Sequence, residues 1–332
     1  SMLFRKTTIG VNSVFTSNSI TIKPDDNYYN YFGFSGKNNF NQSVSYSGTK
    51  NNFNYFGEFA IDQHFSTAIV NGIIASIEKN LSVSVLHRYY SKNYFSFHSN
   101  GFGENTRVAN EKGFYIGANY SYNKKLQLSG YYDLYAFPWL KYQMNMPSNG
   151  YDYSLQLLYS PTKTTAISLR YHQTKNQEQY MGPDLHSEDI FEMTSKAIRF
   201  QIRTEFNRIQ ITGRYDLNFL KQQLNESGML AYLDIQYKPM LKPYSFSLRA
   251  SIYRTDSYSS RMYAYQGDLP GSYNLGAFYG SGESVYAMMN YKFGRNIQVW
   301  LRGSRTLSYS QVADNKSLLP EYEIKMQVAY WF

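Results

Sequence analysis

The sequence predicts an all-β protein, an antiparallel transmembrane β-barrel of the bacterial outer-membrane type with about sixteen strands in residues 1–332. Three observations predict it. Apolar and polar residues alternate with a period of two along much of the chain, short polar turns alternate with longer polar stretches, and the last segment carries one unbroken apolar face to an aromatic carboxy-terminus. A barrel strand shows lipid only every second residue, so a mean hydropathy of −0.51 is compatible with a membrane-embedded chain. No run approaches the roughly 18 to 20 consecutive apolar residues that a spanning helix needs, which excludes helical membrane classes.

The alternation is clearest over residues 209–219, where Ile209, Ile211, Gly213, Tyr215, Leu217 and Phe219 fall on one face. Gln210, Thr212, Arg214, Asp216 and Asn218 fall on the other, and a period of two is the signature of a strand. The same pattern sets Ile198, Phe200 and Ile202 against Arg199, Gln201 and Arg203. It also sets Phe246, Leu248, Ala250 and Ile252 against Ser247, Arg249 and Ser251. Leu126, Leu128, Gly130, Tyr132 and Leu134 repeat it, as do Ile297, Val299 and Leu301. Short turns are expected at residues 78–80, 123–125, 161–164, 206–208, 238–243 and 294–296. Long outer loops are expected at 97–112, 137–150, 176–195, 220–228, 256–282 and 307–321. Tight periplasmic turns and long outer loops are the bacterial barrel rhythm, and they put both termini on the periplasmic side. The first two strands are expected near residues 7–15 and 31–46. The final strand sets Tyr322, Ile324, Met326, Val328, Tyr330 and Phe332 on one face; Tyr330 and the terminal Phe332 look like the signal by which outer-membrane barrels are recognised for insertion.

Aromatic residues make up 18% of the chain, with 35 Tyr and 22 Phe, which suits strands and the two aromatic girdles of a barrel. Cysteine is absent, so disulfides, thiolate metal sites and thiol nucleophiles are excluded. The opening residues carry no basic segment followed by an apolar one, so an export signal is expected to lie outside this sequence. The net charge is +9, and the strand phase points Arg88, Arg170, Arg199, Arg203, Arg214, Arg249, Arg302 and Lys325 into the lumen. Asp133, Glu205, Asp216, Asp234 and Glu323 share that face. An excess of guanidinium groups selects anions in anion pores, whereas arginine–carboxylate ladders brace a wall; both readings fit the pattern, and bracing is the commoner.

The five histidines show no metal-ligand spacing and no hydrolase order, so His64, His87, His98, His172 and His186 read as solvated or hydrogen-bonded groups. Asp184, Glu188 and Asp189 form an acidic loop cluster, read as solvated in preference to a calcium site. Gly101-Phe102-Gly103 and Gly280-Ser281-Gly282 lack the strand–helix context of a phosphate loop. Tyr89, Tyr90, Tyr94, Phe95 and Phe97, and likewise Tyr258, Tyr263 and Tyr265, suit loop packing or a glycan or peptide platform. Neither an enzyme nor a cofactor is expected.

The stretches GEFAID (57–62), LHRYYSKNYFSFHSNGFGE (86–104), NEKGFYIGANY (110–120) and YYDLYAFPWLKYQMNMPSNGYDY (131–153) carry a family resemblance, as do residues 249–271 and 279–293. They are similar to the carboxy-terminal barrel of Bacteroidota outer-membrane proteins that bear helix-hairpin-helix repeats ahead of the barrel. The resemblance implies residence in the cell outer membrane, among outer-membrane lipid and lipopolysaccharide. It implies further early strands, so an amino-terminal segment or a partner protein is expected to complete the barrel. The repeats bind nucleic acid in that family, and nothing in this sequence resembles them, so no nucleic-acid partner is expected. Two functions remain open from sequence: a porin-like transport or channel component, and a structural or assembly subunit with a filled lumen. An outer-membrane enzyme is the third and weakest.

Overall fold

The computed structural model describes residues 7–142, 144–179, 190–222, 224–312 and 315–332. It is all-β. In chain order the strands are β1 (Thr7–Ile22), β2 (Gly36–Lys50), β3 (Phe53–Asp62), β4 (Thr67–Glu78), β5 (Leu81–Tyr90), β6 (Glu111–Ser121), β7 (Leu126–Phe137), β8 (Ser148–Tyr159) and β9 (Thr165–Gln179). They continue as β10 (Ile190–Phe206), β11 (Ile209–Lys221), β12 (Asn225–Tyr237), β13 (Tyr244–Thr255), β14 (Met262–Tyr265), β15 (Leu275–Phe278), β16 (Ser281–Phe293), β17 (Ile297–Val312) and β18 (Asn315–Tyr330). Sixteen of them form one sheet in which each strand neighbours the next along the chain; β14 and β15 form a hairpin of their own between β13 and β16.

Two compact units divide the chain: Ser1–Asn123 with Gln127–Leu155 and Gln173–Thr194, and Lys124–Leu126 with Gln156–His172 and Ser195–Phe332. In the second unit the register aligns an apolar row, Ile211, Ile235, Leu248, Ala287, Gly303 and Ile324, across six strands. One residue along, the row reads Thr212, Asp234, Arg249, Tyr286, Ser304 and Glu323. Alternation puts these rows on opposite faces, and a slip of one residue would exchange them. The first unit repeats the arrangement, with Tyr55, Ile73, Val85, Ile116 and Tyr132 in one row.

The two faces invert the sorting of a water-soluble protein. Ile9, Phe59, Leu134, Phe200, Leu248 and Leu301 are exposed, while Arg88, Asp133, Asp216, Asp234, Arg249 and Arg302 are buried. An apolar outer face, a polar inner face and a continuous antiparallel order make this the fold of an outer-membrane β-barrel. Among the described residues no helix is long and apolar enough to cross a membrane.

The short turns lie where the alternation places them, but two of the expected long loops are strand. β11 and β12 pair out to Lys221 and Asn225, and β17 and β18 pair out to Val312 and Asn315. Beyond hydrocarbon a strand no longer needs an apolar face, so the polar sequences around 220–228 and 307–321 hide an unbroken ladder. β9 and β10 likewise extend into the stretch expected as a loop at 176–195. At the other end β1 runs on to Ile22, past a register irregularity after Ser17, and β2 begins only at Gly36. His186, Asp184, Glu188 and Asp189 lie outside the described residues.

Ile211 is 37% exposed on the apolar face. Ile211→Arg is expected to destabilise the folded protein by about 2 to 4 kcal/mol if the site lies at mid-membrane, and less nearer an interface. Denaturant titration in lipid reads this. A variant as stable as the parent would show that the face is not in hydrocarbon.

Candidate functional site

Each unit carries a cluster of buried charge on its polar face, and a loop lies against each cluster. In the first unit Arg88 is fully buried. Its Nε donates to Glu111 Oε1 at 2.6 Å, and its two terminal nitrogens donate to both oxygens of Asp133 at 2.7 and 3.1 Å. Gly113, directly opposite Arg88 in the register, makes this reach possible, because a Cβ there would overlap the guanidinium. The loop at residues 91–110 closes over the pair. Glu111 also accepts the backbone N–H groups of Glu104 and Asn105, Phe102 lies under the guanidinium at 5.2 Å, and the Tyr90 hydroxyl donates to the Phe102 carbonyl at 2.8 Å. Burial and the neighbouring carboxylates of Asp152, Asp133 and Glu111 push the Glu104 carboxyl above its ordinary range. The other end of the loop is fixed by buried Asp62, which accepts from the N–H groups of His64, Ser66 and Phe95.

In the second unit the charges form a chain of pairs. Asp216 accepts from Arg199 and from Arg214, and Asp234 accepts from Arg249, its direct neighbour in the register. Arg249 also lies over the Tyr232 ring at 4.1 Å. Arg302, 2% exposed, donates to Glu323 at 2.7 Å and sits over Tyr286 at 5.1 Å. The segment between β13 and β16 docks on this face. Met262, Ala264 and Phe278 of its hairpin pack on Leu230 and Tyr253, and Gly228 is bare because a Cβ there would strike the Ser260 carbonyl. At the end of β14 and in the loop that joins it to β15, Arg249 donates to the Tyr265 carbonyl, and Arg302 donates to the Gly267 carbonyl at 2.9 Å and to Gln266 Oε1 at 3.2 Å. Tyr286 donor geometry is reversed: its hydroxyl accepts the Gly267 N–H at 3.0 Å. Asp268, side chain 2% exposed, receives Lys325 Nζ at 3.0 Å and lies 4.0 Å from Arg302.

The structure thus brings Arg199, Arg214, Arg249, Arg302 and Lys325 into pairs, and Arg88 into a triad with two carboxylates. Arg203 donates to Gln210 beside a turn, and Arg170 is half-buried on β9. Paired charge is the geometry of a braced wall. Glu111 and Asp268 were not among the expected lumen residues. The phase of Phe114 and Ile116 on β6 would have found Glu111, whereas no local pattern marks Asp268. Tyr90 and Tyr94 are buried, so that part of the first aromatic cluster is loop packing; Tyr258, Tyr263 and Tyr265 are exposed. Tyr330 and Phe332 stand on the exposed face of the carboxy-terminal segment with ring centroids 6.1 Å apart, and Trp331 N–H donates to the Asn296 carbonyl. Among the described residues no group of three or more His, Cys, Asp or Glu is placed to hold a metal ion.

Neither protein-family models nor curated proteins give a match. Solved structures do, at low similarity. OmpT, an outer membrane protein of Vibrio cholerae, is 10% identical with a TM-score of 0.41, covering 98% of both chains. Salmonella typhi OmpF is 12% identical with a TM-score of 0.39, again over 98% of both. The ferric citrate transporter FecA in its unliganded form is 9% identical with a TM-score of 0.45, over 98% of this chain and 56% of FecA. Likenesses this distant carry no argument about activity; the outer-membrane assignment rests on the inverted faces of the sheet.

Asp268 gives a pH dependence. Burial alone would raise its carboxyl, but the Leu269 N–H, Lys325 and Asn274 outweigh burial and hold it below the ordinary carboxylate range. A group lowered on folding stabilises above its unfolded pKa of about 3.9 and loses that contribution as pH falls through the folded value. Docking of the 256–280 segment is therefore expected to hold at neutral pH and to loosen only in strong acid, and Asp268→Asn should loosen it at neutral pH. Faster tryptic cleavage after Arg261 in the variant reads the loosening; an unchanged rate at pH 7 would mean that Asp268 does not hold the loop.

Proposed function

We propose that this outer-membrane barrel is a non-enzymatic transport component whose passage is gated by the segment between β13 and β16. One observation carries the reading: the polar tip from Tyr265 to Asp268 is held on the polar face by side chains of β13, β16, β17 and β18. A segment meant only to fill space would be held by apolar contact, as the hairpin behind it is. The tip is held instead by hydrogen bonds and by the Lys325–Asp268 ion pair, whose lysine is 32% exposed, so water and a solute can compete for that cation. Paired arginines supply a wall without a strong net field, which suits a route for polar solutes better than a ring of free cations.

A second reading, a filled-lumen scaffold of a larger envelope assembly, is favoured by the extent of charge pairing. Planar-bilayer recording separates the two. The intact protein should conduct little, and deletion of residues 257–279 should raise conductance severalfold while the protein keeps its heat-modifiable mobility. A folded deletion variant that conducts no better than the parent would contradict gating and favour the scaffold.

A further inference from the structure

Every short turn of the second unit carries a cation and no carboxylate: Lys124 before β7, Lys163 before β9, Arg208 before β11, Lys238 and Lys242 before β13, and Arg295 before β17. All six are exposed, and among the described residues none joins an ion pair, in contrast to the arginines of the polar face. Neighbouring turns lie side by side. Ser160 N–H donates to the Lys125 carbonyl at 2.7 Å, Lys238 N–H to the Arg208 carbonyl at 3.3 Å and Lys292 N–H to the Pro243 carbonyl at 2.7 Å. Lys124, Lys163 and Arg203 line one groove of about 580 Å³, which also holds Glu205. At the loop end the signs mix, as in Arg254 with Asp256 or Lys221 with Glu226. Like charges gathered without counter-ions repel one another, so the turn end is built for an anion from outside the chain.

Apolar side chains are interleaved with these cations. Phe206, Met240 and Phe293 are exposed, and Leu241, fully exposed between Lys238 and Lys242, is held at a φ of 60°. A leucine rarely adopts that left-handed conformation, and with its side chain fully exposed no packing offsets the strain. We propose that the turn end of the second unit docks on the headgroups of an anionic glycerophospholipid such as phosphatidylglycerol. The cations take phosphodiester oxygens, and Met240 and Leu241 enter the interface between them. A soluble anion would use the cations and leave Met240, Leu241 and Phe206 in water. A neutral lipid would cover the apolar side chains and leave the like charges uncompensated. An anionic lipid does both. The rhythm of short turns and long loops puts this end on the periplasmic side, whose leaflet is glycerophospholipid. The docking is independent of whether the segment between β13 and β16 gates a passage.

The sequence has no cysteine, so Met240→Cys gives a single attachment point for a fluorophore on the full chain. In phosphatidylcholine vesicles, its quenching by phosphatidylglycerol bearing a nitroxide at the top of one acyl chain is compared with quenching by phosphatidylcholine labelled in the same way. Phosphatidylglycerol is expected to quench severalfold more strongly. That preference should fall toward equality when salt rises from about 0.1 M to about 1 M, which shortens the screening length from about 10 Å to about 3 Å. It should fall likewise when Lys238→Gln and Lys242→Gln are combined. A fluorophore at Ser259→Cys, at the loop end, should show no preference, and heat-modifiable mobility checks that each variant is folded. Equal quenching by the two lipids, a preference that survives loss of both lysines, or the same preference at Ser259→Cys would overturn the proposal. So would a fluorophore at position 240 that neither lipid quenches, which would assign the turn end to an acidic soluble partner. A preference abolished by free glycerol phosphate would overturn it too, because the site would then serve a soluble anion.

Discussion

In hydrocarbon a backbone N–H or C=O has no partner but another strand, and the rest of this structure depends on that constraint. An unbroken antiparallel ladder satisfies it, and the ladder fixes the side chains in strict alternation. Everything charged must then collect on one face. A buried charge without a counter-ion is destabilising by several kcal/mol, so that face pairs its own charges. Asp234 opposite Arg249 follows directly from the register, and Asp133 two strands from Arg88 follows from a glycine placed between them.

Pairing within the sheet leaves some polar capacity unused, and the loops take it up. Glu111 binds Arg88 with one oxygen and still receives the N–H groups of Glu104 and Asn105. Arg302 binds Glu323 and still donates to Gly267 and Gln266. Both units therefore hold a loop by the same means, a buried arginine or its carboxylate finishing its hydrogen bonds on loop backbone. Aromatic rings complete the coordination: Phe102 beside Arg88, Tyr232 beside Arg249 and Tyr286 beside Arg302. The abundance of tyrosine thus serves the buried charges as well as the exposed rows.

Much of this was legible in the sequence. The period of two around Ile211, Leu248 and Ile324 gives the strands, their faces and the inward arginines, because alternation is a local property. What alternation cannot give is where the pattern stops being required. The ladder continues past Leu220 and Leu307 through residues that read as loop, since strands leaving hydrocarbon need no apolar face. Nor does it reveal that a loop folds back: Asp268 looks like any turn aspartate, and its meeting with Lys325 joins residues 57 positions apart.

Buried charge on the polar face holds the two loops in place. Hydrogen–deuterium exchange on the protein in lipid nanodiscs tests it most directly, because the N–H groups concerned are named. Glu104 and Asn105, bonded to Glu111, and Gly267, bonded to Tyr286, should exchange far more slowly than unstructured amides, and Tyr286→Phe should release Gly267 while leaving Glu104 and Asn105 protected. Exchange of all three at unstructured rates in the parent protein would show that the loops are not held, and the account built on their docking would be wrong.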